Sequence, residues 1–229
     1  MQKTKNNKKL LESIDLTKVY EPIEAIKILK ENTFTKFNET LEVAINLGID
    51  PNKTDQGIRG VTSLPKGTGK SVNVAVLTKG DKQKEAKDAG ADLVGENDLI
   101  DSISSGKISF DLLIASPDMM PSVGKVAKIL GPKGLMPNPK LGTVTQDVAS
   151  AVKNAKAGQV QFKNDKGGIV HAGIGKMSFD DNDLLDNLKF FYSSINKSKP
   201  DTVKGSFVKK VTIASTMGVG LEINLASLR

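Results

Sequence analysis

Residues 41–47 read LEVAINL and residues 72–77 read VNVAVL, and the difference between the two decides the fold. In the first, Leu41, Val43, Ile45 and Leu47 share one face, with Glu42, Ala44 and Asn46 between them. Strict alternation of this kind belongs to an antiparallel sheet with one wet face. The second is largely unbroken in its apolar character, as is FDLLIA at 110–115, which is what a sheet covered on both faces requires. Alternation returns at VQF (160–162), VTIAS (211–215) and LEINL (221–225), towards the far end of the chain. Two helical patterns, EPIEAIKILKENT (21–33) and DDNDLLDNLKFFYSSIN (180–196), are expected to cover one face of that alternating sheet. The second opens on the carboxylates Asp180, Asp181 and Asp183, which suit a helix N-terminus.

The unbroken strands are interleaved with helices. KGDKQKEAKDAGAD (79–92) and NDLIDSISSGK (97–107) separate them, and MPSVGKVAKIL (120–130) follows, with Val123, Val126, Ala127 and Leu130 on one stripe until Gly131 and Pro132 stop it. Strand and helix in alternation describe a parallel α/β unit. Strands of one type at both ends, with another type between, point to one domain interrupted by a second. The expected organisation is therefore a discontinuous domain, 1–67 plus 159–229, built as an antiparallel sheet with helices, and an inserted parallel α/β domain, 68–158. LPKGTGK (64–70) and AKAGQ (155–159) are read as flexible, basic hinges between them.

Composition narrows the chemistry. Of the 229 residues 38% are hydrophobic, enough for packed cores. The absence of cysteine excludes a disulfide scaffold, a thiol nucleophile and thiolate-ligated metals, and the lone histidine, His171, leaves little for a multi-histidine metal centre. No apolar run reaches the ~18 residues of a membrane span, and MQKTKNNKKL lacks the apolar stretch of a secretory signal. Lys+Arg 33 against Asp+Glu 26 leaves +7, which favours a polyanionic partner: RNA, DNA or an anionic membrane surface. Only Arg59 and Arg229 are arginines, so guanidinium forks that read guanine edges are nearly missing. Eight Phe, two Tyr and no Trp give few platforms for stacking unpaired bases. What remains is folded nucleic acid, recognised by shape, phosphate and sugar hydroxyl.

Enzymatic motifs fail residue by residue. LPKGTGKS has Leu64 where a phosphate-binding loop needs glycine, TKGDKQ follows its strand with a single glycine, and HAGIGKMS lacks the third glycine of a dinucleotide fingerprint. His171 has no serine or aspartate signature beside it, and the Asp180–Asp183 cluster is explained by its helix start. No catalytic residue, metal or cofactor is expected. The rival reading, a nucleotide-dependent transferase, needs a phosphate cradle that the inserted domain does not show.

Binding finds more support. TFTKFNET (33–40) sets Phe34, Lys36, Phe37, Glu39 and Thr40 at the mouth of the alternating sheet. QFKNDKGG (161–168) combines Lys163, Asn164, Asp165 and Lys166 with two glycines, and ASTMGVG (214–220) offers Thr216, Met217 and a Gly218 expected to let backbone meet backbone. Taken singly, each reads as a plain turn. Taken together, all three lie in the discontinuous domain, where an antiparallel sheet is expected to gather them into one patch. GPKGLMPNPKLGT (131–143) adds a stiff, basic loop with Lys133, Lys140 and an exposed Leu135–Met136 pair, read as a contact surface.

That loop also carries a resemblance. SVGKVAKILGPKGLMPNPKLGTVT strongly resembles the signature of the ribosomal protein L-one family, and FNETLEVAINLGIDP, SFDLLIASPDMM, QFKNDKGGIVHAGIGK and KGSFVKKVTIASTMGVG extend the likeness over nearly the whole chain. The resemblance implies an inserted, Rossmann-like second domain and binding to the mobile stalk region of large-subunit ribosomal RNA. It further implies assistance to the release of deacylated tRNA and repression of translation of the protein's own messenger RNA, a role that a pure repressor would share. By position it places RNA contacts at Lys36, Phe37, Glu39, Thr40, Lys163, Asp165, Lys166, Thr216, Met217 and Gly218, with Ser206 in support and His171 close by. Many members of the family that this chain resembles carry Thr where it has Gly167, so a hydroxyl contact at that position is not carried over. A monomer when free, in the cytoplasm and on the ribosome, is the expected state, with an organellar ribosome as the alternative. The basic arm 1–9 is read either as a segment that meets RNA or as one without a role.

Overall fold

The computed structural model describes residues 14–51, 53–80, 82–106, 108–203 and 205–228; the basic arm lies outside them. By its internal contacts the chain divides into two compact units, Met1–Lys70 with Val160–Arg229, and Ser71–Gln159.

In the outer unit, β2 (Thr40–Leu47) is the axis of a five-stranded sheet ordered β1-β10-β9-β2-β8, with β1 at Val19–Tyr20, β8 at Ile169–Lys176, β9 at Val208–Ser215 and β10 at Leu221–Ile223. All neighbours are antiparallel except β1 and β10. The alternation read in 41–47 is what the packing uses. Leu41, Val43, Ile45 and Leu47 are buried together with Val211 and Ile213 of β9 and Leu221 and Ile223 of β10. Against them lie Ala25, Ile26 and Leu29 of α1 (Pro22–Glu31) and Leu184, Leu188, Phe191 and Ile195 of α7 (Asp181–Lys197). Both helices occupy one side of the sheet, and Lys30 of α1 ties to Asp181 at the start of α7 at 2.6 Å. The opposite side carries no helix among the described residues.

VQF does not join this sheet. It lies in β7 (Gln159–Lys163), which pairs with β3 (Arg59–Ser63) as a separate two-stranded ribbon. Its inward ring, Phe162, meets Phe191 of α7 edge to face at 5.7 Å, a geometry that favours aromatic pairs beyond their buried area. Among the described residues the ribbon reaches the main sheet through an isolated bridge from Asn164 to Val170.

The segment 64–70, read as a flexible hinge, is held to the outer unit over its first residues, 64–67. Leu64 is buried. The fully buried amide of Asn187 accepts from the Lys66 N–H at 3.1 Å and donates to the carbonyls of Gly67 and Ile174 at 2.9 and 2.8 Å, while the Lys66 ammonium meets Asp183 at 2.9 Å. Glycine and lysine content suggested looseness, but one buried amide on α7 engages the Lys66 N–H and the Gly67 carbonyl.

In the inner unit, β4 (Val74–Leu77) lies between β5 (Leu93–Gly95) and β6 (Leu112–Ala115), all parallel. Every residue of β4 is buried, and its side chains divide between two cores. Ala75 and Leu77 face Ile103 of α3 (Asn97–Ser104) and Val123 of α4 (Met120–Lys125); Val74 and Val76 face Ala86 of α2 (Lys82–Asp88) and Val148 and Val152 of α6 (Val148–Lys156). The helix expected over 120–130 is two pieces, α4 and α5 (Ala127–Leu130), broken at Val126. The buried stripe Val123, Val126, Leu130 nonetheless survives the break.

Candidate nucleic-acid interface

Because β2 starts at Thr40 and β9 ends at Ser215, which pairs with Leu41, the antiparallel register brings segments 35–40 and 216–218 to the same end of the sheet. The Thr40 N–H donates to the Thr216 hydroxyl at 3.0 Å. Lys176, opposite Thr40 at the end of β8, donates from its ammonium to the Thr40 hydroxyl at 2.9 Å. The Asn38 amide donates to the Ser178 hydroxyl at 2.9 Å. On this network stand two exposed apolar side chains, Phe37 at 54% and Met217 at 51% exposure, with Lys36 exposed between Thr35 and Phe37.

Glu39 does not stand among them. It is 1% exposed, and its carboxylate accepts from the Thr35 hydroxyl at 2.7 Å and the Met217 N–H at 3.3 Å. Burial pushes its pKa up, but the hydroxyls of Ser215 and Thr35 and the Met217 amide outweigh that and hold it below its usual value. The expectation that Glu39 offers an acceptor to RNA is therefore corrected: its acceptors are occupied from within, and it fixes the Thr35–Phe37 segment to the Met217 turn. At Gly218 backbone does meet backbone, its N–H donating to the Ser215 carbonyl at 3.1 Å. A Cβ there would strike the Ser215 side chain, so the glycine also leaves room for a hydroxyl that serves Glu39.

The third stretch lies elsewhere. Leu47, at the last position of β2, donates its N–H to Gly168 at 3.0 Å and pairs with Val208, so Lys163, Asp165, Lys166 and Ser206 gather at the opposite end of the sheet. Asp165 shapes this end. One carboxylate oxygen accepts from the Gly167 and Ile169 N–H groups, both at 2.8 Å, and the other lies 3.6 Å from Nε2 of His171. The Ile169 amide, then the Gly167 amide and His171, lower its pKa against the opposing effect of desolvation. Lys163, Asn164, Asp165 and Lys166 line an open groove with Pro51, Lys53 and Gly57.

One compact patch is thus not what the sheet builds. The seven steps of β2 from Thr40 to Leu47 separate the two ends by about 24 Å at ~3.4 Å per residue. The helix-free side joins them. Paired residues point the same way, so across the sheet lie Gly173, Glu42 and Ala214, then His171, Ala44, Thr212 and Glu222, then Ile169, Asn46 and Lys210. Gly173, Ala44, Ala214 and Thr212 are small, but the acids Glu42 and Glu222 stand among them, with Lys210 paired to Glu222 at 2.5 Å, and Lys176, Lys163 and Lys166 lie towards the two ends. Ammonium groups and hydroxyls at the ends suit a folded polyanion, and the central acids select against a misplaced one. Lys176 and Lys210 were missed in the sequence; their signal was their place on the open face of β8 and β9, which required the register to be known.

The sequence pattern of the Ribosomal protein L1p/L10e family matches residues 29–219 of this chain, from the end of α1 to just past the Met217 turn.

Proposed function

This chain belongs to the ribosomal protein L1p/L10e family, and is thus a structural, RNA-binding protein of the large ribosomal subunit and not an enzyme; from that premise we propose that its helix-free sheet face binds the mobile stalk region of the ribosomal RNA. The observation that carries the reading is the Glu39-centred network. It holds Phe37, Thr40, Thr216 and Met217 in place before any RNA arrives, which lowers the ordering cost of binding. Lys36 and Lys176 meet phosphates at this end, while Lys163, Lys166 and His171 do so at the other, with Ser206 in support. Asp165 shapes the turn that presents them. Two ends about 24 Å apart along β2 call for one continuous, pre-shaped RNA rather than two short strands.

The same face serves messenger RNA of the protein's own operon, where binding represses translation, because two RNAs with a common shape compete for one surface. Movement of the stalk with the protein on it assists the departure of deacylated tRNA. Footprinting on purified large-subunit RNA tests the reading: protection of one compact stalk element supports it, and scattered or absent protection overturns it. Competition between that element and the messenger leader for the protein tests the repressor role.

A further inference from the structure

The chain's longest stretch without an acidic side chain lies in the inner unit, between Asp118 and Asp147. It carries Lys125, Lys128, Lys133 and Lys140, all exposed, and none of the four has an ion-pair partner among the described residues. The fold fixes their direction. Val123, Val126 and Leu130 turn into the core beneath α4 and α5, leaving Lys125 and Lys128 outward. Leu135 is partly buried against the same core, so of the Leu135–Met136 pair only Met136 stands exposed, at 38%. The connector is stiff. Asn138 receives the Lys140 N–H at 2.9 Å, its own N–H goes to the Thr143 hydroxyl at 2.7 Å, and Thr143 bonds through its carbonyl to Ala115 of β6 at 2.9 Å. Gly134 and Gly142 both adopt positive φ at its turns, a conformation other side chains resist.

The outer unit arranges its proposed RNA site in a similar way: an exposed methionine on a pre-ordered turn, with lysines around it. We propose that the inner unit carries a second RNA-binding face, formed by Lys125, Lys128, Lys133, Lys140 and Met136. It takes the phosphate backbone of an RNA segment other than the one held on the outer sheet. The inference rests on the reading that the chain works on RNA. Its ligand chemistry, polyphosphate on a folded RNA, can come from tRNA or from a second segment of ribosomal RNA, and the experiment separates these sources.

The test uses the full chain with K125Q, K128Q, K133Q and K140Q combined. A control of equal charge change carries K27Q, K189Q, K197Q and K199Q. Binding is measured to a stalk RNA fragment, to deacylated tRNA and to whole large-subunit RNA across a salt series. The expected result is stalk-fragment affinity within about twofold of the parent, with at least a fivefold loss towards tRNA or whole RNA. The slope of log K against log [salt] for that RNA becomes shallower by about 0.7–0.9 for each phosphate no longer neutralised, and the control shows neither change. Loss towards tRNA identifies tRNA as the source, and loss confined to whole RNA identifies a second ribosomal segment. Unchanged binding to all three RNAs, or a parallel loss on the stalk fragment, overturns the second face. Failure of the parent to bind the stalk fragment overturns instead the reading on which this inference rests.

Discussion

The two ends of the outer sheet each rely on a carboxylate, and they use it in opposite ways. At the Thr40 end Glu39 is buried, takes bonds from hydroxyls and an amide, and disappears from the surface. At the Gly168 end Asp165 stays exposed, bends the loop through two backbone amides and keeps one oxygen near His171. A buried acid orders the surface from a position the ligand does not contact. An exposed one adds local repulsion to the same ordering, which sharpens selection against a wrong partner. The first end should therefore be the more rigid and carry more of the affinity, and the second should tune it.

The strongest way to break this contrast is Glu39→Ala. It leaves the Thr35 hydroxyl and the Met217 amide without their acceptor in a buried place, and a loss of about 3 kcal/mol in stability is expected from denaturant titration. RNA affinity should fall with it. Glu39→Gln keeps one acceptor oxygen and should cost about half as much. The pKa of Glu39 lies below its ordinary value of 4.5, so its contribution to stability is complete above that pH and is lost as the pH falls through the folded-state value. A melting series from pH 6 downward should show this loss in the parent and not in the glutamine variant.

Met217→Asp separates surface from scaffold. The side chain is half exposed, so the melting temperature should hold, while RNA binding weakens by more than about tenfold, equivalent to about 1.4 kcal/mol. Unchanged affinity in a filter assay would remove the Met217 turn from the interface. Asp165→Asn comes next. The amide oxygen can still accept from Gly167 and Ile169, so binding should change by about threefold at most, near 0.6 kcal/mol, with the larger effect on discrimination between RNAs. Smallest is Lys176→Gln, expected to flatten the salt dependence by about 0.7–0.9 in log–log slope with little change in affinity at low salt. If Asp165→Asn proves more damaging than Met217→Asp, the ranking of the two ends is reversed.

The legibility of the sequence followed the same physical lines. Alternation in 41–47 and 211–215, and unbroken burial in 74–77, were readable because each side chain's environment depends on its own strand alone. Strand β8 was not readable. Gly173 and Gly175 interrupt its pattern, and the reason lies across the fold: a Cβ on Gly175 would meet Leu184 of α7 at 2.6 Å. With β8 unseen, Lys176 went unseen too. VQF alternates correctly, yet nothing in three residues could assign it to the β3–β7 ribbon. The stretches proposed to face RNA could be picked out as sequence, but Glu39 was misjudged because the hydroxyls and amide that hold it come from residues 35, 215 and 217. The direction of a charge is a property of the assembled sheet.

The β3–β7 ribbon has a mechanical consequence. The chain departs towards the inserted unit just after β3 and re-enters directly as β7, so the outgoing and returning backbones are hydrogen-bonded neighbours. Asn187 and Asp183 moor the outgoing one to α7, and Phe162 seats the returning one on the same helix. A pull transmitted along either crossing meets α7 and its edge-to-face ring pair before it reaches β2, β8 and β9, the strands proposed to read RNA.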